Sequence, residues 1–507
     1  MRYPDRVTLA ALPRPRVLAL VLLAVVAGGR TPAPAAAAGN TKRTPALEAA
    51  LAAGGARPRN VWVFFRDKGQ GAAGREAEAA ATVTSRALAR RAARGQTRGL
   101  TLEDVPLART YVEAVAARVT RVRHQVRWVN AMSVEATPEQ VASVAALPFV
   151  ARVDLVRGYR GRPEEDLRDR AAVQSGGPRS GCAPACADRS AAAFDYGPSA
   201  GQLTQIGVPA AHAMGLHGEG VMVAVLDAGF DTLSHEAFAA MSIVDTHDFV
   251  NGDEDVADGR DRGNGSHGTE TLSVLGGWAP GHLIGPAFNA TYILAKTEDT
   301  TSETPVEEDN WASAAEWAEA HGADVISSSL GYLDFDPGFL SYGFADMDGL
   351  TAISTRAADL AGERGVVVVN SAGNSGLNAA HNTLGAPADG RLVLAVGAVM
   401  SNGQRASFSS VGPSSDGRIK PDVSAQGVAV VAAAPRTASG YTAVNGTSFS
   451  CPLTAGVVAL LIQAKPTASV AEIQDALRAT ASQAERPDNL LGWGIVDAGR
   501  AVERISR

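Results

Sequence analysis

Three residues carry side chains able to act in concert on an acyl group. Asp227 ends the apolar run V-M-V-A-V-L, and His267 stands in N-G-S-H-G-T-E-T. Ser448 stands in N-G-T-S-F-S-C-P, ahead of a long apolar stretch reaching about Ala464 with Pro452 in its first turn. A serine hydroxyl is a weak nucleophile near neutral pH. It becomes competent when an imidazole takes its proton and a carboxylate holds that imidazole in the right tautomer. Each residue alone has an ordinary structural explanation: an Asp at a strand end forms turns, a His beside Gly sits in a loop, and a Ser before a helix caps it. Together they are the set that nucleophilic acyl transfer requires.

The elements around them must expose all three on one edge. Beyond Ala200 short β-branched runs alternate with helical stretches: Val221 to Leu226, Tyr292 to Ala295, Val325 to Ser328, Val366 to Val369, Leu392 to Val396 and Val428 to Ala432. Continuous apolar strands separated by helices predict an α/β fold in three layers, a parallel sheet with helices on both faces. Chemistry in such sheets gathers at the carboxyl ends of the strands, where Asp227 falls.

Ahead of residue 200 the pattern differs. Val61-Trp-Val-Phe-Phe65 reads as a strand, followed by helical, Arg-rich sequence; a second strand is expected over Trp128 to Val134. Thr137-Pro138-Glu139-Gln140 then carries a helix start, with Thr as cap, Pro in the first turn and Gln three residues after the cap. A further strand, Phe149 to Val156, completes a small α+β domain over residues 57–157. Residues 158–199 are rich in Gly, Pro, Ser, Arg and Asp without a period, which predicts an exposed linker. At the start, four arginines precede the apolar run Val17 to Ala27 and small residues ending at Ala38. That is the layout of a secretory signal over residues 1–38, and it is shorter than a membrane span. A secreted chain, extracellular or periplasmic and free of the membrane once the signal is cut, is the expectation.

The 507 residues carry a net charge of -7, so no basic footprint points to nucleic acid. Cys182 and Cys186 could pair after export, whereas Cys451 lies in an apolar helical pattern and reads as a small hydrophobe. No His lies near the first two to complete a zinc site. The acidic stretch N-G-D-E-D-V-A-D-G-R-D could gather oxygen ligands for a structural calcium, though it lacks EF-hand spacing and is better read as a solvated loop. No cofactor or metal is required by the chemistry described above. The remaining histidines lack a matching motif and are read as structural or surface residues, with His235 supporting the turn after Asp227.

The motifs and their order, Asp then His then Ser, resemble the subtilisin-like serine proteases, or subtilases. V-A-V-L-D-A-G-F, H-G-T and G-T-S-F-S-C-P match the three catalytic motifs of that family over about residues 200–500. The resemblance implies a serine endopeptidase that hydrolyses polypeptides through an acyl-enzyme on Ser448. V-V-V-N-S-A-G-N-S-G corresponds to the segment carrying the family's oxyanion asparagine, which falls on Asn374; its amide would act beside the backbone N–H of Ser448. Ser327 to Gly331 corresponds to the strand that pairs with extended substrate, so the primary pocket would be walled by Ser329, Leu330, Gly331, Ser371, Ala372 and Gly373. The 57–157 domain resembles, by pattern and position, the family's inhibitory propeptide, with the maturation cut in the 158–199 linker. L-A-K-T-E-D-T and E-E-D-N-W-A-S-A-A-E-W resemble one bacterial exported branch. Many members of that branch end in a sorting domain; only residues 495–507 follow Gly494 here, so export by that route is not expected.

Two other readings fit less well. An esterase of the α/β-hydrolase type needs G-x-S-x-G and His last in the chain order, whereas here Ser448 comes last. An inactive binding protein on the same fold would lack one of the four site residues, and all four are present.

Overall fold

The computed structural model describes residues 42–156, 194–257, 266–299, 308–333 and 342–507. The expected signal, most of the linker with Cys182 and Cys186, and the end of the acidic stretch lie outside these. Helix α1 (Pro45–Gly54), capped by the Thr44 hydroxyl, leads into β1 (Arg59–Phe65). Helices α2 (Glu76–Ala81), α3 (Ser85–Arg94) and α4 (Arg109–Ala116) follow, then β2 (Arg121–Val126), β3 (Ala131–Ala136), α5 (Pro138–Ala145) and β4 (Val150–Leu155). The four strands form one antiparallel sheet in the order β2-β3-β1-β4. Thr137 and Gln140 cap α5 reciprocally, as the T-P-E-Q pattern predicts.

One expectation changes here. The run Trp128 to Val134 is not a single strand: a tight turn over residues 127–130 separates β2 from β3. Asn130 adopts φ 52, a left-handed conformation that Asn tolerates. Trp128 and Val129 are apolar because the turn is buried, not because it is a strand. β2 itself lies in the Arg-rich stretch expected to be helical.

The chain is packed again from Phe194, short of the linker end expected at 199. The Phe194 ring stands edge-on to Trp278 and Phe288, both at 5.5 Å. Helices α6 (Ala200–Gln205) and α7 (Val208–Ala213) precede β5 (Met222–Asp227), β6 (Ser242–Asp248), α8 (Ser266–Gly276) and the short pair β7 (Trp278–Ala279) and β8 (Leu283–Ile284). Then come β9 (Thr291–Lys296), α9 (Glu308–His321), β10 (Val325–Ser328), α10 (Ile353–Glu363), β11 (Val367–Ser371), β12 (Val393–Val399) and β13 (Val423–Gln426). The chain closes with β14 (Val430–Ala433), β15 (Tyr441–Val444), α11 (Thr447–Ala464), α12 (Val470–Thr480) and α13 (Ala498–Ile505).

Seven strands form a parallel sheet in the order β13-β12-β11-β10-β5-β9-β6. The run around Val428 to Ala432, expected in this sheet, forms β14 and pairs antiparallel with β15 instead. Ala429 turns the chain out at φ 52, its N–H held by Asn445 Oδ1 at 2.7 Å. Side chains alternate along each strand. In β10, Val325 joins the layer containing α11, whereas Ile326 joins the layer of α9 and α10. Helix α11 is apolar enough to cross a membrane, but it lies buried in the core.

The small domain docks on α9 and α10. In β1, Val61, Val63 and Phe65 point into its own core, while Trp62 and Phe64 join Trp311, Ala315 and Ile353 of the larger domain. Charge surrounds this apolar patch. Arg123 pairs with Asp309 at 2.8 Å, and His124 Nε2 lies 2.6 Å from Asn310 Oδ1. From α3, Arg91 pairs with Glu319 at 2.7 Å and with its own domain's Asp104 at 2.8 Å. Arg90 also pairs with Glu319, and donates to the Ala323 carbonyl at 2.5 Å. Arg94 pairs with Asp324 and donates to the Gly365 carbonyl at 2.9 Å. The contacts made by α3 sit at the C-terminal ends of α9 and α10, where unpaired carbonyls attract cations, whereas Arg123 and His124 meet the first turn of α9.

Candidate active site

Asp227 is the last residue of β5 and is fully buried. Its Oδ1 accepts the backbone N–H of Ala228 at 2.7 Å and lies 2.6 Å from His267 Nδ1. Its Oδ2 accepts the Thr271 hydroxyl at 2.9 Å. His267 sits in the first turn of α8. That helix can approach the Asp227 loop only because residue 268 is glycine: a Cβ there would stand 2.3 Å from the Gly229 carbonyl oxygen.

Ser448 occupies the first turn of α11. Its preceding residue but one, Gly446, has φ 144, a conformation closed to other residue types. The His267 ring lies 5.9 Å from the Phe449 ring, which sets the imidazole beside the start of this helix. Pro452 stands inside α11 rather than in its first turn, because the helix begins at Thr447. Having no N–H, Pro452 leaves the carbonyl of Ser448, four residues back, without its helical donor. Ser329 Oγ supplies one at 2.8 Å. In return, Ser448 Oγ donates to the Ser329 carbonyl at 3.2 Å.

Asn374 follows β11. Its Oδ1 accepts both the Thr447 N–H at 3.0 Å and the Thr447 hydroxyl at 2.9 Å, so its amide nitrogen is directed away from Thr447. Ser329 to Gly331 continue β10, and Ser371 to Gly373 continue or end β11, its parallel neighbour. Asn370 Nδ2 donates to the Leu330 carbonyl at 2.8 Å, and Gly373 N–H donates to Thr447 Oγ1 at 3.3 Å. The two segments therefore form adjoining walls tied to the residue before Ser448. Cys451 is buried beneath them, its thiol directed to the carbonyls of Ser328 and Val369 at 3.4 Å. Burial pushes this thiol up to about 12, so it stays protonated and acts as a small hydrophobe.

The four residues predicted to act together are thus gathered at the carboxyl edge of β5, β10 and β11 and at the start of α11. Three further ones were not anticipated: Thr271, Thr447 and Asn370. Thr271 carries a signal, since it lies four residues after His267 and hence on the same helical face. His235 caps the turn after Asp227, as expected, accepting from Ala237 N–H at 3.1 Å. Among the described residues no group of three or more His, Cys, Asp or Glu could hold a metal ion. Asp248 instead caps its own turn, accepting the N–H groups of Val250 and Asn251 at 2.7 and 2.9 Å, and pairs with Lys296 at 3.1 Å.

A family model described as the Subtilase family matches residues 218–494. A second, described as the Peptidase S8 propeptide domain, Bacteroidota, matches residues 60–170. Subtilisin Savinase of Lederbergia lenta is 32% identical over 301 residues, 59% of this chain and 97% of that protein. A subtilisin-like protease of Arabidopsis thaliana is 45% identical over 67 residues, 13% of this chain, and the match spans only 9% of the plant protein's length. The crystal structure of fervidolysin from Fervidobacterium pennivorans superposes with a TM-score of 0.59 at 21% identity, over 89% of this chain and 62% of that one, a likeness of fold.

Proposed function

The chain belongs to the subtilase family, and from that premise we propose that it is an exported serine endopeptidase which matures by cutting away its own prodomain. Proteolysis is the family's activity. Its assignment to Asp227, His267 and Ser448 rests on one observation above all: the 2.6 Å contact of His267 Nδ1 with a fully buried Asp227, beside the helix whose first turn carries Ser448.

The geometry supports the following course. His267 Nε2 takes the Ser448 proton as Oγ bonds to the scissile carbonyl carbon, and Asp227 stabilises the imidazolium so formed. The negative charge that develops on the carbonyl oxygen meets the Ser448 N–H and the Asn374 amide, which Thr447 orients by holding Oδ1. Collapse breaks the C–N bond, and His267 returns the proton to the leaving amine. Water then repeats the sequence on the ester. Leu330, with its carbonyl turned to Asn370, and Gly331 offer backbone for an extended polypeptide to pair with, and small residues wall the primary pocket.

The match of residues 60–170 to a propeptide domain supports the reading of the small domain as intramolecular inhibitor. The signal-like start of the sequence, together with the propeptide match, supports export. The deciding experiment compares the full-length chain with Ser448→Ala in a host free of other exported proteases. Wild type should hydrolyse casein and lose the small domain by intact mass, with a new N-terminus between 157 and 194. The variant should do neither. Casein hydrolysis by a clean Ser448→Ala preparation at the wild-type rate would refute the assignment.

A further inference from the structure

We infer that Thr271 is a positioning residue, one that fixes the Asp227 carboxylate and thereby sets the basicity of His267. The inference rests on the assignment of Asp227 and His267 above. Asp227 has two oxygens with unequal company. Oδ1 takes the Ala228 N–H and faces His267, whereas Oδ2 is met by Thr271. Thr271 is 1% exposed, on the face of α8 that carries His267.

The direction of its proton follows from chemistry. Thr271 Oγ1 lies 2.9 Å from Asp227 Oδ2 and 3.2 Å from the Gly268 carbonyl, and it has one proton to give. An ionised carboxylate can only accept. Were the proton sent to Gly268, two lone pairs would face each other at 2.9 Å in a buried site. The hydroxyl therefore donates to Asp227, in the shorter, charge-assisted bond.

Two consequences follow. The bond holds the plane of the carboxylate so that Oδ1 stays aligned with Nδ1. It also draws charge from the carboxylate, which makes the imidazolium less favourable and keeps His267 neutral to lower pH. Four other titratable groups flank this pair. Lys296, opposite Asp227 on β9, pairs with Asp248 at 3.1 Å, and Asp231 pairs with Arg436 at 3.3 Å. The Cys451 thiol on α11 is neutral, and Glu270, beside Thr271 on α8, is buried.

The test is Thr271→Val in the full-length chain, which keeps the side-chain shape and removes the donor. Turnover is normalised to active sites titrated with a serine-directed inhibitor. The acid limb of the kcat/KM profile should move up by about half a unit, and kcat should fall by about tenfold with KM unchanged. Thr271→Ser, which retains the hydroxyl, should bring the limb back. A limb that stays in place in Thr271→Val, or a defect confined to KM, overturns the inference. If Thr271→Val fails to accumulate, Thr271→Ala set against Thr271→Ser gives the same comparison. Ser448→Ala in the same assay separates the two assignments. Activity there sinks the triad itself, whereas an inactive Ser448→Ala beside an unshifted Thr271→Val sinks only the role of Thr271.

Discussion

Ser448 and Ser329 are joined by two hydrogen bonds, each donating its hydroxyl to the other's backbone carbonyl, at 3.2 and 2.8 Å. The second exists because Pro452 has no N–H for the Ser448 carbonyl. A residue from the end of a strand thus replaces a rung of the helix, and the first turn of α11 is fastened directly to the carboxyl end of β10. Ser329→Ala should therefore lower kcat/KM about five- to tenfold through misplacement of Oγ, a hydrogen bond's worth of free energy. Steady-state kinetics on a peptide ester and amide pair checks it; an unchanged kcat/KM on both would show that α11 is held without this bond.

Asn374 carries a sharper prediction. Thr447 holds its Oδ1, so the amide is preorganised before substrate arrives. Asn374→Leu should depress kcat by ~10²–10³-fold, the range known from a subtilisin, with KM nearly unchanged. A loss seen wholly in KM would mean that Asn374 binds ground-state substrate.

The arginines of α3 should govern how firmly the prodomain stays on after it is cut. Arg90→Met leaves the Ala323 carbonyl without its guanidinium and Glu319 with only Arg91 at the same interface. Breaking one side of a buried pair is costly, so the nicked complex should dissociate about 10²-fold more readily. The measurement is the activity regained on dilution after maturation. Equal retention of activity block in both proteins would assign the grip to the apolar face alone.

Glu316 gives that grip a pH dependence. It accepts the Trp128 N–H at 3.0 Å. Arg127 Nε lies 3.1 Å from it without hydrogen-bond geometry, a charge contact only. Burial pushes its carboxyl up from an ordinary 4.5 to about 7, and Arg127 offsets this only in part. A carboxyl with a higher pKa docked than free takes up a proton on docking. Docking is therefore unpenalised below about 4.5 and weakens as pH rises towards 7. Two neighbours pull otherwise. Burial raises Asp309, but Arg123 more than offsets it and holds it at about 2, a contribution lost only in acid. Burial lowers His124, which weakens docking as pH falls below 6.5. Comparison with Glu316→Gln isolates the first group: the ratio of mutant to wild-type affinity should climb about 40-fold between pH 5 and 7. A flat ratio would contradict the expected change in Glu316 ionisation on docking.

Much of this was legible before any coordinates, for a physical reason. The four motifs of the candidate site are local in sequence, and the glycines around them report close backbone approach, as at Gly268. Interior strands of a parallel sheet are apolar on both faces, so Val325 to Ser328 read as a strand without ambiguity. Legibility failed where tertiary packing imitates a local signal. Trp128 and Val129 look like strand but form a buried turn, and β2 hides among arginines that pair across the interface. Residues such as Thr447 and Asn370 are invisible as site residues because their partners are 73 and 40 positions away.

The run V-W-V-F-F has a last consequence. Val61, Val63 and Phe65 close the small domain's own core, whereas Trp62 and Phe64 share a buried cluster with the body they dock against, with Arg152 of the small domain lying over the Phe64 ring. Detachment would therefore give water one face of two large aromatic rings together with the guanidinium row of α3. A fragment left so poorly sealed holds its shape weakly, and a loosened chain is what a peptidase cleft accepts most readily. Under the proposed maturation, the small domain would become perishable in the moment of its release. Its disposal by the enzyme it had covered would then make activation run in one direction.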